Sequence, residues 1–140
     1  MRNKTEYLIY FIIASVFVFL SCSPSPRYTS KTIIRGISSY YGHNDGFHGK
    51  RTANGEIFDK NAMTAAHKTL PLNTIVIVTN TDRWDRPSVR LKINDRGPFV
   101  EGRILDCSVA AAKKLRFFKK GTASVKIEVV RWGDNKYYKQ

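Results

Sequence analysis

Three short segments place proton-transfer groups beside small or turn-forming residues. They are Thr52-Ala53-Asn54-Gly55-Glu56-Ile57-Phe58-Asp59, Thr64-Ala65-Ala66-His67-Lys68-Thr69-Leu70-Pro71-Leu72 and Val89-Arg90-Leu91-Lys92-Ile93-Asn94-Asp95-Arg96-Gly97-Pro98-Phe99. In the third, Asp95 follows an alternating apolar run and precedes a Gly-Pro turn. A carboxylate at a strand end is held by a rigid element and still reaches a groove, which suits a general acid. Partial burial favours the neutral acid and the adjacent Arg96 favours the anion, so the sequence leaves its protonation open. Glu56 is a second carboxylate, and His67 has the chemistry to orient or tune either one. Each has a plainer reading. Asp95 can accept backbone N–H bonds in its own turn. Glu56 can be a solvated turn residue, and His67 a satisfied structural histidine.

His43, Asp45, His48 and His67 show no zinc-type ligand spacing, so neither a metal nor a cofactor is expected. Tyr40, Tyr41, Phe47, Phe58 and Phe99 can form a sugar-stacking platform or simply core and groove walls. Cys107 ends the run Ile104-Leu105-Asp106-Cys107 and reads as a buried thiol acting as a small hydrophobe.

The elements that must position these groups are short. Ile37 to Tyr41 predicts a strand, and the Gly- and Asn-rich stretch from His43 to Asn54 a loop. Thr74 to Thr79 is β-branched and apolar, a buried strand. Asn80 to Pro87 predicts a hairpin connection that carries Trp84. Val89 to Ile93 and Ser124 to Val130 alternate apolar with charged residues, so each buries one face. Arg103 to Leu105 begins another strand. Ser108 to Leu115 predicts a helix with Val109, Ala112 and Leu115 on one face, capped by Asp106 or Ser108. Short strands, one helix and long loops predict a small β-barrel with its function in loops.

A chain of 140 residues holds one domain, or one with a short appendage. That excludes a two-domain nucleotide enzyme and an eight-unit β/α barrel. With 24 Lys+Arg against 11 Asp+Glu, the formal charge is +13 and the partner should be anionic. Arg2 and Lys4 precede an apolar run of 14 residues, Tyr7 to Leu20. This is shorter than the ~20 residues of a membrane span and fits an export signal. The run ends in Phe19-Leu20-Ser21-Cys22, which resembles a bacterial lipobox, with Phe19 in place of the usual Leu. The resemblance implies that Cys22 is lipidated and becomes the mature N-terminus. An uncleaved anchor helix is the alternative. Both readings place the rest of the chain outside the cytoplasm, on a membrane, and remove most of the case for nucleic acid. The expected organisation is a signal over 1–21, a tether over 22–34, a barrel over 35–132 and a polar tail over 133–140.

The stretches SSYYG, FHGKRTANGEIFD, TAAHKTLPLNTIVIVTN, INDRGPFVEGRILDCSVAAAKKL and GTASVKIEVV, in this order, resemble the rare lipoprotein A family. The resemblance implies a mainly-β fold, a six-stranded double-psi β-barrel with one or two short helices. It implies a lytic transglycosylase that acts on peptidoglycan, with Glu56, His67 and Asp95 in the active site. Asp95 is the leading catalytic candidate. Asn94, Arg96, Tyr41 and Asn54 are the expected substrate-binding residues. The expected partners are glycan strands and, through the lipid, a membrane, with the protein a monomer. Two other classes of function stay open. An expansin-like barrel would bind peptidoglycan without cutting it. A basic surface protein would bind anionic lipid or host polymer, which explains the charge but not the three motifs.

Overall fold

The computed structural model describes residues 32–138; the expected signal, Cys22 and most of the tether lie outside them. Six strands, β1 (Ile33–Tyr41), β2 (Thr64–His67), β3 (Ile75–Asn80), β4 (Ser88–Asp95), β5 (Arg103–Ser108) and β6 (Ala123–Arg131), carry the fold. Among the described residues one helix, α1 (Val109–Lys114), follows β5. The strands close into a barrel in the order β1-β5-β2-β4-β3-β6. The pairs β1–β5 and β2–β4 are parallel and the others antiparallel. This is the six-stranded double-psi β-barrel expected from the resemblance.

The alternating sequences build the core. Val76 and Val78 from β3, Leu91 and Ile93 from β4, and Val125 and Ile127 from β6 point inward and are almost fully buried. Leu105 and Cys107 of β5 add to them, and Leu115 and Phe117 join the same cluster. The Cys107 thiol is free and fully buried, and burial pushes its pKa up to about 12, so it is an inert core atom.

Three features differ from the sequence expectation, and the choice it left open between two caps is settled. β1 starts at Ile33, so Ile33 and Ile34 belong to the barrel rather than the tether; they pair with Glu128 and Ile127 of β6. The Arg35-Gly36 step breaks the apolar pattern and hides this half of the strand. β2, Thr-Ala-Ala-His, is a strand without β-forming composition, created by its neighbours β4 and β5. Ser108, not Asp106, caps α1, its Oγ accepting from Ala111 N at 3.2 Å. The polar tail docks on the barrel: Asn135 N donates to Leu72 O and Tyr138 N to Asn54 O.

Candidate active site

A groove of about 350 Å³ crosses the outer face of four neighbouring strands. Tyr41 comes from β1, Arg103 and Asp106 from β5, Ala66 from β2 and Asp95 from β4. The loop after β4 supplies Arg96 to Val100 as one wall, and Asp45 and Phe47 stand opposite on the loop after β1. Phe99 is almost fully exposed on the rim, where an apolar ring is free to stack on a sugar. A second depression of about 440 Å³ shares Arg96 to Val100 and continues past Phe99 to Lys68 and Glu101.

Asp95 reaches this face through a register shift. Ala65 pairs with Ile93, whereas Ala66 pairs with Asp95, so β4 carries one extra residue there. Such a bulge re-aims a side chain, here turning Asp95 to the outward side of Ala66. Three donors converge on it. Tyr41 Oη donates to Oδ2 at 3.1 Å, Ala53 N to Oδ1 at 2.9 Å and Arg96 N to Oδ1 at 2.8 Å. Tyr41 is itself locked by stacking on Phe58 at a ring separation of 4.2 Å. Burial, and then the Asp95 charge, hold the Tyr41 phenol far above its ordinary pKa, so it stays a hydrogen-bond donor.

Glu56 stands outside the groove lining. Lys92 Nζ donates to Oε1 and Asn94 Nδ2 to Oε2 at 3.1 Å. Burial alone would raise its pKa, but these donors outweigh it and hold the carboxyl below its usual range. Its turn is what reaches Asp95: Asn54 N donates to Asn94 O at 3.0 Å, which sets Ala53 N against the carboxylate. Gly55 has φ +89°, and a Cβ there would lie 2.2 Å from Tyr138 O, so the turn admits only glycine.

His67 is nearly buried, and its Nδ1 accepts from Thr69 N at 3.1 Å and Leu70 N at 3.0 Å. Burial, then Arg96 and Lys68, lower its pKa to about 4, so near neutral pH it is an uncharged acceptor that shapes its loop. The Arg96 guanidinium is occupied as well: Nη1 donates to His67 O at 3.1 Å and Leu70 O at 2.8 Å. Two residues expected to bind substrate are buried and bonded within the barrel. Asn54 is fully buried, joined to Asn73 Oδ1 at 2.9 Å, and Asn94 is almost fully buried against Glu56. Their motifs point toward substrate, but short amides next to turns are equally suited to tying backbone. Of the seven expected site residues, the groove therefore gathers Asp95, Tyr41 and Arg96, while Glu56, His67, Asn54 and Asn94 lie outside its lining. Sequence reading missed Asp45, Arg103 and Asp106. Asp106 was legible in one respect, as the outward member between inward Leu105 and Cys107. Among the described residues no group of three or more His, Cys, Asp or Glu is placed to hold a metal ion.

Fold and site together define a double-psi barrel with a carboxylate-bearing groove. The family described as lytic transglycolase matches residues 33–127. The chain belongs to this family and to its rare lipoprotein A branch. It is 51% identical over 100 residues to the endolytic peptidoglycan transglycosylase RlpA of Campylobacter jejuni, covering 71% of this chain and 35% of that one. It is 44% identical over 138 residues to the protein of the same name from Rickettsia bellii, covering 98% and 60%. The chain spans about a third of the length of the first of these curated relatives. Among solved structures, Streptomyces papain inhibitor matches with TM-score 0.55 at 22% identity, covering 71% of this chain and 96% of that one. A Clavibacter michiganensis expansin matches with TM-score 0.56 at 20% identity, covering 71% and 51%. These two share the fold.

Proposed function

We propose that this domain cleaves peptidoglycan glycan strands as an endolytic lytic transglycosylase. It would break the bond between N-acetylmuramic acid and N-acetylglucosamine and leave a 1,6-anhydromuramic end. The observation that carries the reading is Asp95, presented by three donors in an open groove with an exposed aromatic rim. The names of the curated relatives point the same way. The reaction requires a proton given to the glycosidic oxygen and a proton taken from the muramic 6-hydroxyl as it attacks C1. A carboxylate at the reacting bond can do both in turn, so a covalent sugar intermediate is not needed.

The lipobox-like start supports export and lipid attachment at Cys22, which would hold a monomeric barrel on a bacterial membrane facing the wall. The charge, +12 once the signal is removed, would favour an anionic polymer. Binding to sacculi should then weaken as salt rises. The expansin-like barrel fold favours one second reading, a module that binds the wall without cutting it. Incubating the full chain in mild detergent with purified sacculi and analysing the soluble products by mass spectrometry separates the two. Release of 1,6-anhydromuropeptides supports the enzyme. Binding without release supports the module.

A further inference from the structure

Ala66 lies between two carboxylates. It is the Cα partner of Asp95 on β4 and of Asp106 on β5. Directly paired residues send their side chains to the same face, so both acids face the groove across one methyl group. Two inter-strand spacings put their Cα atoms about 10 Å apart. The outward aim of Asp106 is fixed by its neighbours Leu105 and Cys107, which are fully buried in the core.

Asp106 differs from Asp95 in its partners. Its Oδ2 accepts from Arg103 Nη2 at 3.2 Å, while its Oδ1 is shielded from water and has no hydrogen-bond partner among the described residues. Arg103 Nε is left in the same state. A buried carboxylate oxygen without a donor is costly, and protonation lowers that cost by removing the charge.

We infer that Asp106 is a second catalytic carboxylate of the groove, the one that gives its proton to the departing sugar, while Asp95 takes the proton of the attacking hydroxyl. The inference rests on the transglycosylase reading above. Burial, only partly countered by Arg103, raises the pKa of Asp106, which keeps a proton available on it. The charged and titratable groups around it are Arg103 and Cys107 on its own strand, Tyr41 from β1, Asp95 from β4, and Asp45 and Arg96 from the flanking loops. The Cβ–Cγ torsion of an aspartate is soft and two-fold, so a half-turn exchanges its oxygens and presents the proton to the groove.

In the reaction the Asp106 O–H bond breaks as its proton passes to the glycosidic oxygen. The bond from that oxygen to muramic C1 breaks, its electron pair leaving on the oxygen. The 6-hydroxyl oxygen gives an electron pair to C1, and its proton passes to Asp95. Exchange with solvent then removes the proton from Asp95 and restores the one on Asp106.

The test compares two substrates with the full chain. Glycan strands need a proton on the leaving oxygen. A 2,4-dinitrophenyl glycoside of N-acetylmuramic acid does not, because dinitrophenolate leaves unaided. Asp106→Asn should lose roughly 10²–10³-fold on strands and less than tenfold on the dinitrophenyl substrate. Asp95→Asn should lose heavily on both. Arg103→Gln removes the charge that lowers the pKa of Asp106, so the alkaline limb of kcat/KM should move to higher pH. Strand activity of Asp106→Asn within twofold of wild type, or an equal loss on both substrates, overturns the assignment. If Asp106→Asn does not fold by circular dichroism, an unmoved alkaline limb in Arg103→Gln overturns it. A wild-type chain that releases no anhydro product overturns the transglycosylase reading itself, and this inference with it.

Discussion

Glu56 and Asp106 are two acids in opposite surroundings. Glu56 sits on a turn, partly exposed, with both oxygens paired to Lys92 and Asn94. Asp106 sits inside a strand, mostly buried, with one oxygen on Arg103 and the other on nothing among the described residues. The donors of Glu56 pull its pKa down, and the burial of Asp106 pushes its pKa up. A carboxylate held in an ion pair outside the groove lining is fitted to hold a structure in place. One that is shielded and half-served is fitted to hold a proton. The motif in which an acid is found does not distinguish these cases; its partners do.

The largest effect expected is from Asp95→Asn, with roughly 10³-fold slower release of muropeptides from sacculi. Its amide oxygen can still accept from Ala53 N and Arg96 N, so the melting temperature should stay close to that of wild type. Glu56→Gln should cost about tenfold, through a looser Ala53 contact, with both limbs of the pH profile in place. A loss as deep as that of Asp95→Asn, or a vanished limb, would make Glu56 a proton-transfer group like Asp106.

Removing residues 134–140 deletes the Asn135 and Tyr138 backbone bonds that brace the Leu72 and Asn54 turns behind the groove. Thermal denaturation should show a loss of about 1–2 kcal/mol, or roughly 5–10 °C in Tm. An unchanged Tm would mean that the back of the site needs no brace.

His67 supplies a smaller, pH-dependent effect. Its pKa is about 4 in the fold against 6.5 in the unfolded chain. The unfolded chain therefore takes up the proton first as the pH falls. Its contribution to stability is full above pH 6.5 and declines from there toward about 4. His67→Asn keeps an acceptor near the Nδ1 position and cannot titrate, so denaturation midpoints between those pH values should fall less steeply than in wild type. Identical slopes would assign the loop's acid sensitivity to other groups.

Trp84 marks the lower end of the scale. It is 92% exposed on the β3–β4 hairpin, a strand length of about 23 Å from Asp95 at the usual rise. Trp84→Ala should leave stability within about 0.5 kcal/mol and cleavage of sacculi unchanged. Slower cleavage would extend the substrate path beyond the groove.

Much of the scaffold was readable along the chain. The alternation in Val89–Ile93 and Ser124–Val130 is a local property, and side chains two apart share a face whatever the rest of the fold does. Ser108 stood where a cap belongs, three residues before Ala111 N. β2 was not readable, because Thr-Ala-Ala-His has neither alternation nor β-branched bulk beyond Thr64, and only its neighbours make it a strand. The site was half readable. Asp95 announces itself by ending a strand before a turn. Asp106 was obscured by a competing use, because an acid just before a helix also looks like its cap.

The sequence by itself determined the strand faces, the helix, the buried thiol and the leading acid, since each follows from periodicity or from contacts a few residues long. The tertiary structure alone decided which acids share a groove. Ala66, Asp95 and Asp106 are distant in the chain, and they meet because two ladders and one bulge fix their register. That register is set by the fit of the whole barrel core, where a shift of one residue would turn every inward side chain out. The same fit docks the tail behind the Asn54 turn, which no local pattern in its polar residues foretells.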